Sequence, residues 1–508
     1  MKKLAVVLSR AEFGVAAPQV RVEVHISRGL PSLSIVGMPE TAVKESKDRV
    51  RAAIMNSGFE FPPHRITINL SPADIPKGGG RYDLPIALGV LVASEQLDGD
   101  RLERTEFVGE LALGGELRGI RGILPVVSAV SEVGRRLVVP NSNATEAALV
   151  ASCECLSADS LLEVSEWLSG ERELNIATKN KTAKSKPKRQ INTADLSEVK
   201  GQEQAKRALI IAAAGGHNLL FYGPPGTGKT MLASRLPGIL PTLSEAQSLE
   251  TAKVASISSN GFDPACWGQP PFRNPHHTAS AAALVGGGSQ PMPGEISLAQ
   301  NGVLFLDELP EFSRHVLEVL REPLESGKIV ISRAARSAEF PARFQLLASL
   351  NPCPCGYLGD EDRPCQCSLG QIQHYRNKIS GPLLDRIDLQ VEVPRLPHKV
   401  LREANTSGLT SQQARKLVMR ARKAQLNRNG GLSNAQLQGR QIEQFIPLAS
   451  PLLDFLEHVV ERLRLSARAY HRIIKVSRTI ADLKQADDVN QSHLSEAVAY
   501  RGFDRQDI

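Results

Sequence analysis

Short, continuous apolar runs recur through the middle of the chain at Asn218–Tyr222, Val303–Leu306 and Phe344–Leu350, each closed by Gly, Asp or Asn. Runs of this length suit strands buried on both faces of a parallel sheet. A helix-period stretch, Val199 to Ala214, precedes the first of them. Strands alternating with helices predict an α/β core over 196–395, with ligands at the carboxyl ends of the strands. The first 170 residues alternate differently. Val20-Arg21-Val22-Glu23-Val24-His25-Ile26 and Arg65–Leu70 place a polar residue at every second position, and helical patterns follow over Ala42–Asn56 and Leu84–Leu97. A separate α/β domain, 1–170, is expected there. Between the two, 171–195 contains Lys179–Arg189, which has no acid and few apolar residues, as a solvated basic linker would. From about 396 to 508 the period is helical, which predicts a helical lid domain.

The apolar run ending at Tyr222 leads into Gly223-Pro224-Pro225-Gly226-Thr227-Gly228-Lys229-Thr230, which fits G-x-x-x-x-G-K-[ST]. Such a loop needs glycines so that backbone N–H groups turn onto a β-phosphate. It needs a lysine for the β/γ oxygens and a hydroxyl for Mg²⁺. ATP with Mg²⁺ is the expected ligand, with Thr230 on the metal. The run Val303–Leu306 ends in Asp307-Glu308. A carboxylate pair at a strand end can hold hydrated Mg²⁺ through Asp307 and polarise an attacking water through Glu308. A solvated Asp-Glu at a strand end is common, so this pair gains its meaning from the loop before it.

Seven cysteines include Cys353, Cys355, Cys365 and Cys367, spaced C-x-C-x₉-C-x-C. Four thiolates are enough for a closed, structural Zn²⁺ site with no open position for hydrolysis. Free or redox-active thiols are the alternative. Cys153 and Cys155 stand at strand spacing without a second pair nearby and read as small buried residues.

The formal charge of +7 and pI near 9.0 tilt the chain toward an anionic partner, with the excess gathered in Lys179–Arg189 and Ala414–Lys423. Aromatic residues make up only 4% of the chain, so stacking on bases is not an evident strategy. No apolar run approaches a membrane span, and Met1–Leu8 breaks at Ser9-Arg10-Ala11-Glu12, too soon for a signal peptide. A cytoplasmic protein is expected.

The stretch Pro271-Phe272-Arg273-Asn274-Pro275-His276-His277-Thr278, with Gly286-Gly287-Gly288 and Pro293-Gly294-Glu295-Ile296-Ser297, closely resembles the magnesium-chelatase branch of the AAA+ ATPases. The resemblance implies an insert in the second helix and a β-hairpin before the third motif, with Lys328–Phe340 as the hairpin and Arg333 and Arg336 facing a central channel toward DNA. It makes Asn351 a polar sensor of the γ-phosphate, as against a capping asparagine. Arg386, in Ser380–Leu389, becomes an arginine finger acting on a neighbouring subunit; a local ion pair with Asp385 or Asp388 is the alternative. Arg468, opening a late helix, becomes the second sensor, as against a solvated arginine. His276 and His277 diverge in direction and lack a third ligand, so a structural or inter-subunit role is expected of them.

Near the amino terminus, Gly29-Leu30-Pro31, Ile35–Pro39, Val43–Val50 and Asn69–Lys77 resemble the Lon-protease-like domain that fronts magnesium-chelatase-like proteins. In proteolytic relatives a nucleophilic serine follows the Pro-Lys-x-Gly segment; here Asp83 falls about there, and a carboxylate cannot replace it. The domain therefore reads as a non-proteolytic binding or assembly module, and Lys77 as a remnant or a surface charge.

By resemblance the whole chain is similar to DNA motors of this branch associated with natural transformation. That implies a homo-hexameric ring hydrolysing ATP. It would encircle single-stranded, double-stranded or branched DNA, driving unwinding and branch migration in recombination, with recombination proteins met through the amino-terminal domain. The residues alone reach a ring ATPase with basic patches and do not reach DNA. A magnesium-chelatase subunit and an ATP-dependent protease are the rival readings.

Overall fold

The computed structural model describes residues 4–178, 195–288, 291–333, 336–360, 362–397, 408–463 and 465–502. All of the basic stretch Lys179–Arg189 therefore lies outside the described residues.

An eight-stranded mixed sheet occupies the amino-terminal region. Its strands are β1 (Leu4–Arg10), β2 (Gln19–Ser27), β3 (Ser32–Val36), β4 (Arg65–Ser71), β5 (Thr105–Phe107), β8 (Arg136–Pro140), β9 (Cys155–Ala158) and β10 (Asn175–Ile176). A small hairpin, β6 (Glu110–Leu111) with β7 (Leu117–Arg118), stands apart from it. The order is β10-β9-β8-β5-β1-β2-β4-β3. The alternation in β2 is realised, since Val20, Val22, Val24 and Ile26 are buried and Arg21 and His25 exposed. The opening run, weighed above as a failed signal peptide, is the interior strand β1, paired with β2 and β5. Its Arg10 forms a buried bidentate pair with Glu106 at 2.6 and 2.8 Å. The last strand, β10, lies in the stretch that the sequence reading assigns to the linker.

The second sheet has the order β12-β15-β18-β11-β19, every neighbouring pair parallel. Its strands are β11 (Leu219–Tyr222), β12 (Phe272–Arg273), β15 (Val303–Leu306), β18 (Gln345–Leu350) and β19 (Leu389–Glu392). β11, β15 and β18 are buried throughout, as their uninterrupted apolar runs require. Two hairpins leave this layer: β13 (Gly286–Gly287) with β14 (Met292–Pro293), and β16 (Lys328–Arg333) with β17 (Arg336–Pro341). The carboxy-terminal region is helical, and its longest helices, Ser411–Arg428 and Ala467–Lys484, share one apolar core with β11 and β19.

The amino-terminal region is docked on the core and does not hang from it. Helix Ile123–Glu132 lies on helix Glu245–Ser256, burying Ile123, Leu124, Val126 and Val127 with Ala252, while Leu249, Phe262 and Trp267 close the edge. Gly122 N–H donates to Ser256 O at 3.0 Å across this contact. A second contact brings Val15 onto the cluster formed by Ile329, Ile331, Ala338 and Phe340 of the β16–β17 hairpin.

Two expectations for this region change. Lys77 is no surface charge: it is fully buried, its Nζ donates to Pro72 O, and burial lowers its pKa. Cys153 lies outside the strand and is half-buried, whereas Cys155 opens β9 and is buried. Asp83 is buried at the first turn of helix Asp83–Ala93 and accepts from Arg49 Nε at 2.9 Å and Leu111 N–H at 3.3 Å. Burial pushes its pKa up to about 6 against the opposing pull of Arg49. Both residues are thus committed to packing and pairing.

Candidate nucleotide site

Three adjacent strands, β15, β18 and β11, end side by side, and each is followed at once by a residue read above as functional. The loop after β11 carries 223–230, with Lys229 at the start of helix Lys229–Ala233. Gly223 has φ +151°, and a Cβ there would stand 2.4 Å from Val393 O, so only glycine lets the loop leave the sheet at that point. Lys229 Nζ donates to Gly223 O and Pro224 O, both at 2.8 Å, and to Asn351 Oδ1 at 3.1 Å. Burial pulls its pKa down to about 8, with Asp307 and Glu308 opposing.

Asp307 and Glu308 follow β15. Thr230 Oγ1 donates to Asp307 Oδ2 at 2.8 Å, which joins the hydroxyl and the carboxylate assigned to Mg²⁺. This pair of oxygens is the hard donor set that Mg²⁺ takes alongside phosphate and water. Ser349, in β18, donates its hydroxyl to Asp307 Oδ1 and accepts from Glu308 N–H at 3.2 Å. Glu308 has φ +54°, an uncommon backbone setting for a residue other than glycine. Its Oε2 lies 3.4 Å from His277 Nδ1. His277 in turn stacks against His276 with ring centroids 4.1 Å apart and meets Phe312 edge-on. Ser349, and His277 as the neighbour of Glu308, are not expected from the sequence. The signal for Ser349 lay in strand register, two positions before Asn351.

Asn351 follows β18 directly, and its Oδ1 accepts from Lys229 Nζ, a contact not expected from the sequence. The cysteine loop begins two residues later. The Sγ atoms of Cys353, Cys355, Cys365 and Cys367 all lie within 4.8 Å of one another, the only such cluster of metal-ligating residues among those described. Cys353 is 3.4 Å from Cys355, and Cys365 is 3.6 Å from both. A tetrahedron with Zn–S near 2.3 Å has edges of roughly 3.8 Å, so the four thiols fit a Zn²⁺ ion. Backbone N–H groups of Tyr357 and Gln366 pull the Cys355 thiol down to about 6, while the other three thiols are pushed up, so a metal would bind by displacing their protons. The loop touches the phosphate loop: a Cβ on Gly356, φ +84°, would stand 2.8 Å from Pro225 Cδ.

The ion pair weighed for Arg386 is not the one that forms. Arg386 pairs with neither Asp385 nor Asp388; its Nη2 donates to Glu325, and its Nη1 to Pro382 O at 2.5 Å. Asp388 is taken by Arg472 and accepts from Asn218 N–H at 2.9 Å; against its burial, Arg472, then His217 and Lys475, hold its pKa far below the carboxylate range. Asp385 accepts from Ser466 Oγ at 3.1 Å. Arg468 is exposed and lies 3.7 Å from the same Glu325 oxygen that Arg386 uses. The two arginines thus share one carboxylate, while Lys229 sits with Asn351. The β16–β17 hairpin forms as anticipated, with Arg333 opposite Arg336 in register. The side chains of Arg333 and Arg336 lie outside the described residues. No helix among the described residues is long and apolar enough to cross a membrane.

Comparison with known proteins agrees with this geometry. Residues 195–401 match the family described as magnesium chelatase, subunit ChlI; residues 22–143 match subunit ChlI of Mg-chelatase; residues 408–501 match its ChlI C-terminal family. Competence protein ComM of Haemophilus influenzae is 52% identical over 503 residues, covering 99% of this chain and 98% of that protein. The uncharacterised protein YifB of Escherichia coli is 50% identical over 506 residues, with 99% and 98% covered. The magnesium-chelatase 38 kDa subunit of Cereibacter sphaeroides is 27% identical over 221 residues, 40% of this chain and 59% of that one. With a phosphate loop, its acidic partner strand and full-length relatives in agreement, the chain belongs to the ComM and YifB family of magnesium-chelatase-like AAA+ ATPases.

Proposed function

We propose that this chain is a ring-forming motor that hydrolyses ATP and uses the cycle to move, unwind and branch-migrate DNA. The observation that carries the ATPase half is the convergence of Lys229, Thr230, Asp307 and Asn351 at three neighbouring strand ends. Lys229 exchanges its loop carbonyls for β/γ-phosphate oxygens. Thr230 and Asp307 would hold Mg²⁺, which would supply the positive charge that phosphoryl transfer calls for. Glu308 orients the attacking water, and Asn351 fixes both the lysine and the terminal phosphate. Arg386 and Arg468, side by side on Glu325, serve a neighbouring subunit's nucleotide, which requires a ring, in this reading a hexamer. Cys353, Cys355, Cys365 and Cys367 would hold a structural Zn²⁺, which would stiffen the wall against which Pro225 rests.

The DNA half is supported by the competence protein among the full-length relatives, by the hairpin, and by the basic helix Ser411–Arg428, which contains no acidic residue. The amino-terminal region, with Asp83 paired to Arg49, serves assembly or recruitment of recombination proteins and not proteolysis. A chelatase subunit remains the second reading, supported by the Cereibacter relative. The deciding measurement is ATPase rate and four-way-junction movement with single-stranded, double-stranded and branched DNA. Arg333→Ala with Arg336→Ala should keep basal ATPase and abolish junction movement. Parental protein that neither binds nor responds to any DNA would sink the motor reading, and stimulation by porphyrin in its place would favour the chelatase.

A further inference from the structure

Glu325 is the penultimate residue of a short helix, Arg321–Ser326, and only Ser326 and Gly327 separate it from β16 of the hairpin. There is little slack between them: Ser326 Oγ donates to Lys328 O at 2.9 Å, and Ala342 N–H donates to Gly327 O at 2.8 Å on the opposite side of the hairpin root. Its side chain meets two other elements. Oε1 takes Arg386 from the turn before β19 and faces Arg468 from the first turn of helix Ala467–Lys484.

Charge around this carboxylate is uneven. Arg321 is matched by Glu318 at 2.6 Å and Arg472 by Asp388, which leaves Arg386 and Arg468 with Glu325 between them. Arg386 is also withdrawn, its side chain 6% exposed against 58% for Arg468 and 55% for Glu325. A guanidinium held in this way reaches a phosphate only by giving up the carboxylate, one anion exchanged for another.

We propose that Glu325 is a positioning residue for phosphoryl transfer. It holds Arg386 and Arg468 back together and releases them together when the hairpin root moves. The inference rests on reading these arginines as acting on a neighbouring subunit's nucleotide. It adds the group that restrains them, and it links that restraint to the element proposed to grip DNA. Glu325 itself touches no phosphate.

The test is steady-state ATPase of the full-length protein, with and without a single-stranded oligonucleotide, for the parent, Glu325→Gln, Glu325→Asp and Arg386→Ala. Glu325→Gln should raise the DNA-free kcat about three- to tenfold with KM little changed, a modest factor because the carboxylate is half exposed. Stimulation by the oligonucleotide should shrink by the same factor, and the thermal midpoint should hold. Glu325→Asp keeps the charge one methylene short, so it should lose Arg468 before Arg386 and give an intermediate kcat. A Glu325→Gln kcat at or below the parental value would overturn the proposal, as would an unchanged stimulation factor. Arg386→Ala at parental turnover would remove the finger reading and the proposal with it. An inactive Arg386→Ala beside an unaltered Glu325→Gln would remove the role of Glu325 alone.

Discussion

Lys229 illustrates how a single side chain links burial to ligand binding. Held among Gly223 O, Pro224 O and Asn351 Oδ1, it has a pKa pulled down to about 8 by burial. A polyphosphate stabilises the ammonium form and raises that pKa, so binding takes up a proton wherever the free group is already neutral. Nucleotide affinity should therefore be flat with respect to this group below about pH 8 and fall above it. Calorimetry in buffers of different ionisation enthalpy should show proton uptake at pH 8.5 and none at pH 6.5. Glu308→Gln should bind nucleotide normally and slow hydrolysis by about 10²-fold or more, the usual scale for a lost base; parental turnover would move the base elsewhere. The loop, Asp307, Glu308 and Asn351 could be read from the chain because each closes an apolar run. Ser349 and His277 could not, since what brings them to Asp307 and Glu308 is lateral strand order, which local periodicity does not encode.

At the scale of elements, the cysteine loop makes a metal claim that mass can decide. Purified protein should carry about one zinc per chain and lose it on Cys365→Ser, because thiolate ligation contributes folding energy and resists dialysis. Elemental analysis showing no zinc would leave the four thiols to redox chemistry. Legibility at this scale followed burial. Strands β11, β15 and β18, buried throughout, announce themselves as unbroken runs within a residue of where they lie, whereas the half-buried two-residue β12 and the edge strand β19 do not. β1 did not, because its polar Ser9 and Arg10 end a run that also resembles the start of a leader. Arg10 is tolerated there because Glu106 on the neighbouring strand pairs with it. The alternative weighed for Arg386, an ion pair with Asp385 or Asp388, fails for a related reason: those two are its neighbours in sequence, but its carboxylate comes from 61 residues upstream.

Across the whole molecule, the contact of Val15 with the hairpin predicts that the amino-terminal region and the hairpin move as one body. A Cβ at Gly14 would lie 3.6 Å from Ala338 Cβ, within disulfide range, although φ +55° at Gly14 adds some strain. Oxidised Gly14→Cys with Ala338→Cys should crosslink in good yield and keep nucleotide binding. Junction movement at the parental rate in the oxidised form would show that the two need not part during the cycle, and loss restored by reductant that they must. The other contact bears on modularity. A fragment begun at Asp195 would keep every nucleotide group but bare Ala252, Leu249, Phe262 and Trp267 to water. Such a fragment should self-associate, and an ATPase core carried to another protein would need a substitute for helix Ile123–Glu132 before it could stay monodisperse.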